Sequence, residues 1–299
     1  MKAKDFKGVI PPLQTVFTAD GDIYEQGVRN IIRMTIPYTG AYYPIGTYGS
    51  GPLMTLDERK KALEIILDEV NGKVPVIAHV GCADTKSTIE LAKHAKKAGA
   101  NAVGAISPYY SPHLPDDFLF GYFNDVMQAV SETEFPLFVY NNGHYSQNLI
   151  SSAVLKRLAQ NGLRGCKDSS FDLVNYYYFK DAVAEYEDFN LIIGTEAIFV
   201  PAFEAGAQGC VCGMGNIFPE VMDKMYKEFQ AGDIQAALKT QDIILKIRLI
   251  TKQAPTISIL HAILEMRGID AGYPRKPYLP CSPEMKAKIK KQLEDLKVL

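Results

Sequence analysis

The sequence is short of cysteine and has no long apolar run. Its 299 residues include five cysteines, an odd number at irregular spacings, which argues against a disulfide framework and indicates a reducing compartment. No apolar run approaches the roughly 20 residues that a membrane-spanning helix needs, and the N-terminus shows no signal peptide. The formal net charge of −2 gives no indication of nucleic acid or a membrane surface as a partner. We therefore expect a soluble, cytoplasmic protein.

The remaining composition, 47% hydrophobic and 22% charged, is that of a globular chain with room for a large core. Strand-like runs recur along it, 18 to 34 residues apart, which leaves space for one helix between each pair. These runs begin near Gly8, Gly40, Val74, Asn101, Phe135, Gly162, Phe189 and Ala207. Several of them are apolar throughout, as is typical of parallel strands that are covered on both faces.

Helical patterns occupy the gaps between the strand-like runs. Residues 57–70 have apolar side chains at helical spacing, with Thr55 as the expected N-cap, and residues 86–98 repeat the pattern after Thr85 and stop at Gly99. Eight such β-α units predict an α/β protein with a (β/α)8 TIM barrel. A doubly wound open sheet is the alternative.

The strand signals stop after about residue 232. Residues 234–250, 255–267 and 283–297 are predicted to be helices. This stretch is too short to form an independent core, so we expect a barrel domain over residues 1–232 and a C-terminal helical extension, residues 233–299, packed on it.

Lys167 is the most informative residue for function. It follows a short, apolar run, and a lysine that ends a buried strand is costly unless it is paired or neutral. Burial lowers the pKa of an amine, and a neutral amine can attack a ketone to form a Schiff base. The structural alternative is a lysine whose ammonium group reaches solvent.

In a barrel of this kind the active site lies at the carboxyl ends of the strands. The polar and glycine-rich segments expected there are residues 46–51, 107–110, 139–142, 167–169, 194–196 and 213–216. The glycines around Thr47 would let backbone N–H groups converge on a small carboxylate, although taken alone they are better explained by a simple turn. Cys210 and Cys212 lack partners at metal-ligand spacing and are predicted to be buried as small apolar residues.

Five segments occur in order at the predicted strand ends: GTYG (46–49), SPYY (107–110), VYN (139–141), GCKD (165–168) and GCVCG (209–213). Together they resemble the dihydrodipicolinate synthase/N-acetylneuraminate lyase family of pyruvate-handling class I aldolases. The resemblance covers essentially the whole chain. It implies a lyase that forms a covalent lysine Schiff base and needs no metal or other cofactor.

The resemblance implies a role for four residues. Lys167 would attack the C2 ketone of pyruvate or of a 2-oxo acid, and Tyr140 would relay protons to and from the substrate oxygens. Thr47 would link Tyr140 toward solvent or a neighbouring subunit. Tyr110 would complete that relay, in this family typically across the interface of a homotetramer built as a dimer of dimers. The expected substrates are pyruvate and an aldehyde, or the 2-oxo acid that they form.

The resemblance also implies a set of substrate contacts. These are Tyr48, Gly49, His144, Tyr145, Ser169, Glu196 and Val211. Tyr145 stands where dihydrodipicolinate synthases carry the arginine that holds the aldehyde's carboxylate, and a tyrosine cannot replace a guanidinium clamp. Thr195 and Glu196 stand where sugar-acid lyases bind hydroxyl groups. The expected reaction is therefore cleavage or formation of a 2-oxo-3-deoxy acid. A dihydrodipicolinate synthase and a non-catalytic small-acid sensor are the alternatives.

Overall fold

A computed structural model describes residues 1–131 and 135–299. Seven parallel strands form one curved sheet in the order β1-β7-β6-β5-β4-β3-β2. The strands are β1 (Gly8–Ile10), β2 (Ile77–His79), β3 (Ala102–Ile106), β4 (Leu137–Asn141), β5 (Gly165–Asp168), β6 (Asn190–Ile193) and β7 (Gly209–Val211). Their short lengths and full burial are those of a parallel barrel whose outer face is covered by helices.

The gap between β1 and β2 is closed by the segment that begins at Gly40. Gly40 N–H donates to Val9 O at 2.8 Å on one side, and Ile77 N–H donates to Tyr42 O at 2.8 Å on the other. This segment is the second of the eight strands predicted from the sequence. It forms only an isolated bridge because Pro44 has no N–H and interrupts the ladder. The predicted (β/α)8 barrel is confirmed, and the open sheet is excluded.

Helices follow the strands around the outside of the barrel. They are α1 (Glu25–Thr35), α2 (Leu56–Val70), α3 (Thr85–Ala98), α4 (Asp116–Gln128), α5 (Gly143–Ser146), α6 (Ser152–Gln160), α7 (Leu173–Ala182), α8 (Phe199–Glu204) and α9 (Pro219–Gln230). Thr55 caps α2 as predicted, in a capping box with Glu58. The predicted cap of α3 is wrong by one residue: Asp84 accepts from Ser87 N–H at 2.8 Å, because its carboxylate reaches that amide, and Thr85 is already helical.

Three further helices close the chain: α10 (Ile234–Ile250), α11 (Thr256–Met266) and α12 (Pro283–Asp295). The side chain of Gln241 holds α10 against the barrel. Its Oε1 accepts from Val200 N–H at 2.7 Å, and its Nε2 donates to Ala197 O at 3.1 Å. Apolar residues of α10 and α11 belong to the same buried cluster as those of the barrel helices. The C-terminal helices thus pack on the barrel, while the boundary at residue 232 stays a prediction.

The lower part of the barrel interior is filled by apolar side chains. Phe138, Ile192 and Val211 form a compact buried layer with Tyr43. This layer makes the barrel interior a packed core and not a pore. Within residues 1–131 and 135–299, the helices are all too short or too polar to cross a membrane.

Candidate active site

A cleft of about 310 Å³ lies at the carboxyl ends of the strands. Lys167 on β5 and Tyr140 on β4 both line it. The two residues are direct partners in the parallel register, so their side chains leave the sheet on the same side and meet above the barrel core. Strand register alone therefore positions the pair.

The amine of Lys167 is held among aromatic rings. The residue is only 5% exposed, and its Nζ lies 3.5 Å from the ring centroid of Tyr140 and 4.6 Å from that of Tyr43. Burial lowers the pKa of Lys167 from its ordinary value, and the neighbouring Tyr140 opposes that effect only in part. A larger fraction of the amine is therefore neutral, and able to act as a nucleophile, than for a lysine in water.

The pKa of the Tyr140 phenol is also lowered. Burial by itself raises the pKa of Tyr140, but the charge of Lys167 and hydrogen bonds from Asn142 and Thr47 outweigh it, so the pKa lies below its ordinary value. The bond from Asn142 Nδ2 to the phenol oxygen measures 2.7 Å. A phenol with a lowered pKa exchanges its proton more readily near neutral pH, which suits a general acid–base.

The glycine-rich loop brings Thr47 and Tyr48 to the cleft. The Tyr48 ring lies against Gly213, where a Cβ atom would fall 2.8 Å from the ring, so this glycine makes room for the tyrosine. Gly49 does not line the cleft. It lies behind the loop, where a Cβ atom would meet Ile45 N at 2.6 Å, so its role in the described structure is to allow the close turn.

The five other predicted substrate contacts all line the cleft. These are Ser169, Val211, His144, Tyr145 and Glu196. Asp168, next to the lysine, is fully engaged: it accepts from Asn141 Nδ2 and from Ser170 Oγ, each at 2.7 Å. These bonds fix the loop after β5 and hold the end of that strand in place.

Tyr110 is not brought to the cleft within one chain. It is 96% exposed, and its φ of +79° turns the loop outward. A second cavity, of about 200 Å³, adjoins the cleft through Thr47 and Tyr145 and is lined in part by Tyr109. Tyr110 itself lines neither this cavity nor the cleft in the described chain.

Sequence reasoning missed the residues that the C-terminal helices contribute. Arg248 on α10 reaches the cleft and pairs with Glu196 at 2.5 Å. Its guanidinium also lies 5.4 Å from the ring centroid of Phe171. The sequence does contain a pattern that could have identified Arg248. Gln241, Ile244 and Arg248 are spaced three and four residues apart, so they lie on the same, inward face of the helix.

Within residues 1–131 and 135–299, no cluster of three or more histidine, cysteine or carboxylate side chains could hold a metal ion. Cys210 and Cys212 are buried and free, as the sequence predicts.

Comparisons with known proteins agree with this geometry. The sequence model of the dihydrodipicolinate synthetase family matches residues 5–296. A 4-hydroxy-tetrahydrodipicolinate synthase from Methanopyrus kandleri is 31% identical over 98% of this chain and 97% of its own length. An N-acetylneuraminate lyase from Mediterraneibacter gnavus is 30% identical over 91% of this chain and 86% of its own. The crystal structure of YagE, a prophage protein of the dihydrodipicolinic acid synthase family from E. coli K12, in complex with pyruvate, superposes with a TM-score of 0.93 at 26% identity, covering 98% of this chain and 99% of that one.

Proposed function

Because the chain belongs to the dihydrodipicolinate synthetase family, whose members are pyruvate-dependent class I aldolases and lyases, we propose that it cleaves or forms the bond between pyruvate and a polyhydroxylated aldehyde. Membership confirms the resemblance seen in the sequence and makes the chain a lyase. One observation carries the proposal: the buried amine of Lys167 lies 3.5 Å from the ring centroid of Tyr140, and the pKa values of both groups are lowered.

The proposed reaction begins at Lys167. Its neutral amine attacks C2 of the 2-oxo acid, Tyr140 protonates the carbinolamine oxygen, and water leaves to give a protonated imine. The Tyr140 phenolate then takes the proton of the C4 hydroxyl, the C3–C4 bond breaks, and its electrons move to the imine nitrogen to give an enamine. The aldehyde departs, a proton is returned to C3, and water hydrolyses the imine to release pyruvate. Synthesis follows the same steps in reverse.

The loop around Thr47 supports binding of the pyruvate carboxylate. Gly46, Thr47 and Tyr48 line the cleft, and backbone N–H groups of such a loop would converge on a small anion. The carboxylate held there would present C2 of pyruvate to Lys167. Gly49 contributes to this arrangement by allowing the turn of the loop.

A polyhydroxylated partner is favoured over aspartate semialdehyde. Tyr145 lines the cleft at the position of the expected arginine, and the guanidinium that does reach the cleft, on Arg248, is already paired with Glu196. A paired arginine offers little charge to a second carboxylate. Carboxylate oxygens and guanidinium N–H groups side by side instead match the donors and acceptors of neighbouring hydroxyl groups.

A panel of aldehydes tests the proposed reaction. The protein is incubated with pyruvate and, separately, with D-glyceraldehyde, D-erythrose, N-acetyl-D-mannosamine or aspartate semialdehyde, and the 2-oxo acid product is quantified. We expect turnover with at least one polyhydroxylated aldehyde and little with aspartate semialdehyde. The Lys167→Met variant is the matched control and should give no product. Turnover with aspartate semialdehyde alone would instead support the synthase.

We also propose that the protein works as a homotetramer in the cytoplasm. The cavity beside Thr47 is largely apolar and carries the buried Ser50 hydroxyl, which has no partner among the described residues. A phenol ring has matching properties, and Tyr110 presents one at 96% exposure. Seating the partner's ring there would bring its hydroxyl toward Thr47 and extend the proton relay. The five free cysteines support a reducing compartment.

A further inference from the structure

An ion pair of unusual placement lies in the cleft. The Glu196 side chain is only 3% exposed and its Oε1 lies 2.5 Å from Arg248 Nη1. Glu196 belongs to the turn after β6 and Arg248 to α10, 52 positions later, so the pair forms only once the C-terminal helices have docked. Both side chains line the same cleft as Lys167 and are therefore within reach of a substrate.

The guanidinium of Arg248 is largely withdrawn from water. The side chain is 17% exposed, and besides Glu196 the guanidinium lies 5.4 Å from the ring centroid of Phe171. A partly buried guanidinium at a cleft is suited to bind a carboxylate or a phosphate group. Here Glu196 takes that place.

We propose that Glu196 masks Arg248 and thereby determines which aldehydes the cleft accepts. This inference rests on the proposed function and names its selectivity residues. With Glu196 ionised and paired, the two side chains carry no net charge and offer an acceptor and donors to hydroxyl groups. An aldehyde that carries a second anionic group must displace Glu196 or lie beside it, and either arrangement is disfavoured by like charge.

Besides Arg248 and Lys167, which becomes the imine, the cleft is lined by Lys252, and this lysine does not undo the effect. Lys252 is exposed, so water and salt screen its charge. The buried pair, by contrast, acts at short range in a site of low polarity. Removing one charge from the pair should therefore change selectivity more than removing Lys252.

The Glu196→Gln variant tests the mask. The amide keeps the size of the side chain and an acceptor for hydroxyl groups, but it frees the guanidinium. The probes are D-glyceraldehyde and D-glyceraldehyde 3-phosphate, which differ only in the anionic group, each condensed with pyruvate. We expect the ratio of kcat/KM for the phosphorylated over the neutral aldehyde to rise about tenfold relative to the unaltered protein. A ratio that stays at its original value would overturn the proposal.

Two further variants test whether the change in selectivity comes from the freed charge of Arg248 or from a general disturbance of the protein. Glu220→Gln breaks an Arg–Glu pair of similar kind, with Arg267 at 2.9 Å, outside the cleft, and should leave the ratio unchanged. The double variant Glu196→Gln with Arg248→Gln should lose the gain, because the freed guanidinium is then absent. A gain that persists in the double variant would show that Arg248 is not the receptor.

Borohydride reduction with pyruvate alone is carried out on every variant. An adduct on Lys167 in each of them shows that the proteins fold and that imine chemistry is intact, so an unchanged ratio then counts against the mask alone. Absence of an adduct in the unaltered protein would count against the proposed function itself.

Discussion

At the scale of single residues, the chemistry depends on two groups that tune each other. Burial lowers the pKa of Lys167, while Tyr140 favours its charged form; the charge of Lys167 in turn lowers the pKa of Tyr140 against the effect of burial. Without Tyr140 the pKa of Lys167 would lie lower still, and without the charge of Lys167 the pKa of Tyr140 would lie higher. The pair makes a nucleophile and a proton donor available in the same pH range.

The Tyr140→Phe variant should therefore change both rate and pH dependence. Turnover should fall by about 10²- to 10⁴-fold, the usual contribution of a general acid–base. Because only the neutral amine reacts, the rate of imine formation should rise as the pH increases through the pKa of Lys167. Since Tyr140 raises that pKa, its removal should move the rise to lower pH. The rate of borohydride trapping, measured as a function of pH, checks this shift; an unmoved or upward-shifted profile would contradict the coupling.

At the scale of elements, strand register and one docked helix build the site. The Tyr140–Lys167 register brings the proposed acid and the proposed nucleophile together, and α10 adds Arg248. The strands were predictable because buried parallel strands are apolar throughout. The sequence did not predict that the segment after Gly40 forms only a bridge, because this depends on how the barrel closes. It also did not predict that Glu196 pairs with a residue 52 positions away.

Substituting Gln241 tests the docking of α10. In Gln241→Met the N–H of Val200 and the carbonyl of Ala197 lose their partners, so the free energy of unfolding should fall by about 1–3 kcal/mol. Because Arg248 lies on the same helix, KM for the aldehyde should rise while imine formation with pyruvate persists. Gln235→Met, at an exposed position of α10, is the control. Denaturant unfolding and steady-state kinetics measure the two effects, and equal behaviour of both variants would contradict the proposed docking.

At the scale of the whole molecule, one closed barrel presents a nearly complete site. The barrel could be predicted from the recurring β-α units, and with it the placement of Lys167 and Tyr140 at strand ends; the role of Lys167 as the nucleophile stays a prediction. The outward position of Tyr110 could not be predicted, because it depends on the backbone of a loop with a positive φ at that residue. The exposed ring and the cavity beside Thr47 together point to assembly as the missing step.

The Tyr110→Phe variant tests the relay across subunits. Loss of the hydroxyl should lower turnover by about tenfold or more, while pyruvate still forms an imine on Lys167. Tyr178→Phe removes the hydroxyl of another exposed tyrosine, on α7, and should have no effect. Sedimentation at assay concentration should show a tetramer. A fully active monomer would show that the relay lies within one chain.

The central claim is that Lys167 is the nucleophile, and trapping of its imine tests that claim most directly. The protein is reduced with borohydride in the presence and absence of pyruvate, digested, and analysed by peptide mass spectrometry. We predict a stable 1-carboxyethyl adduct on the amine, dependent on pyruvate, on the peptide that contains Lys167, and none in the Lys167→Met variant. No adduct, or an adduct on a different lysine, would contradict the account.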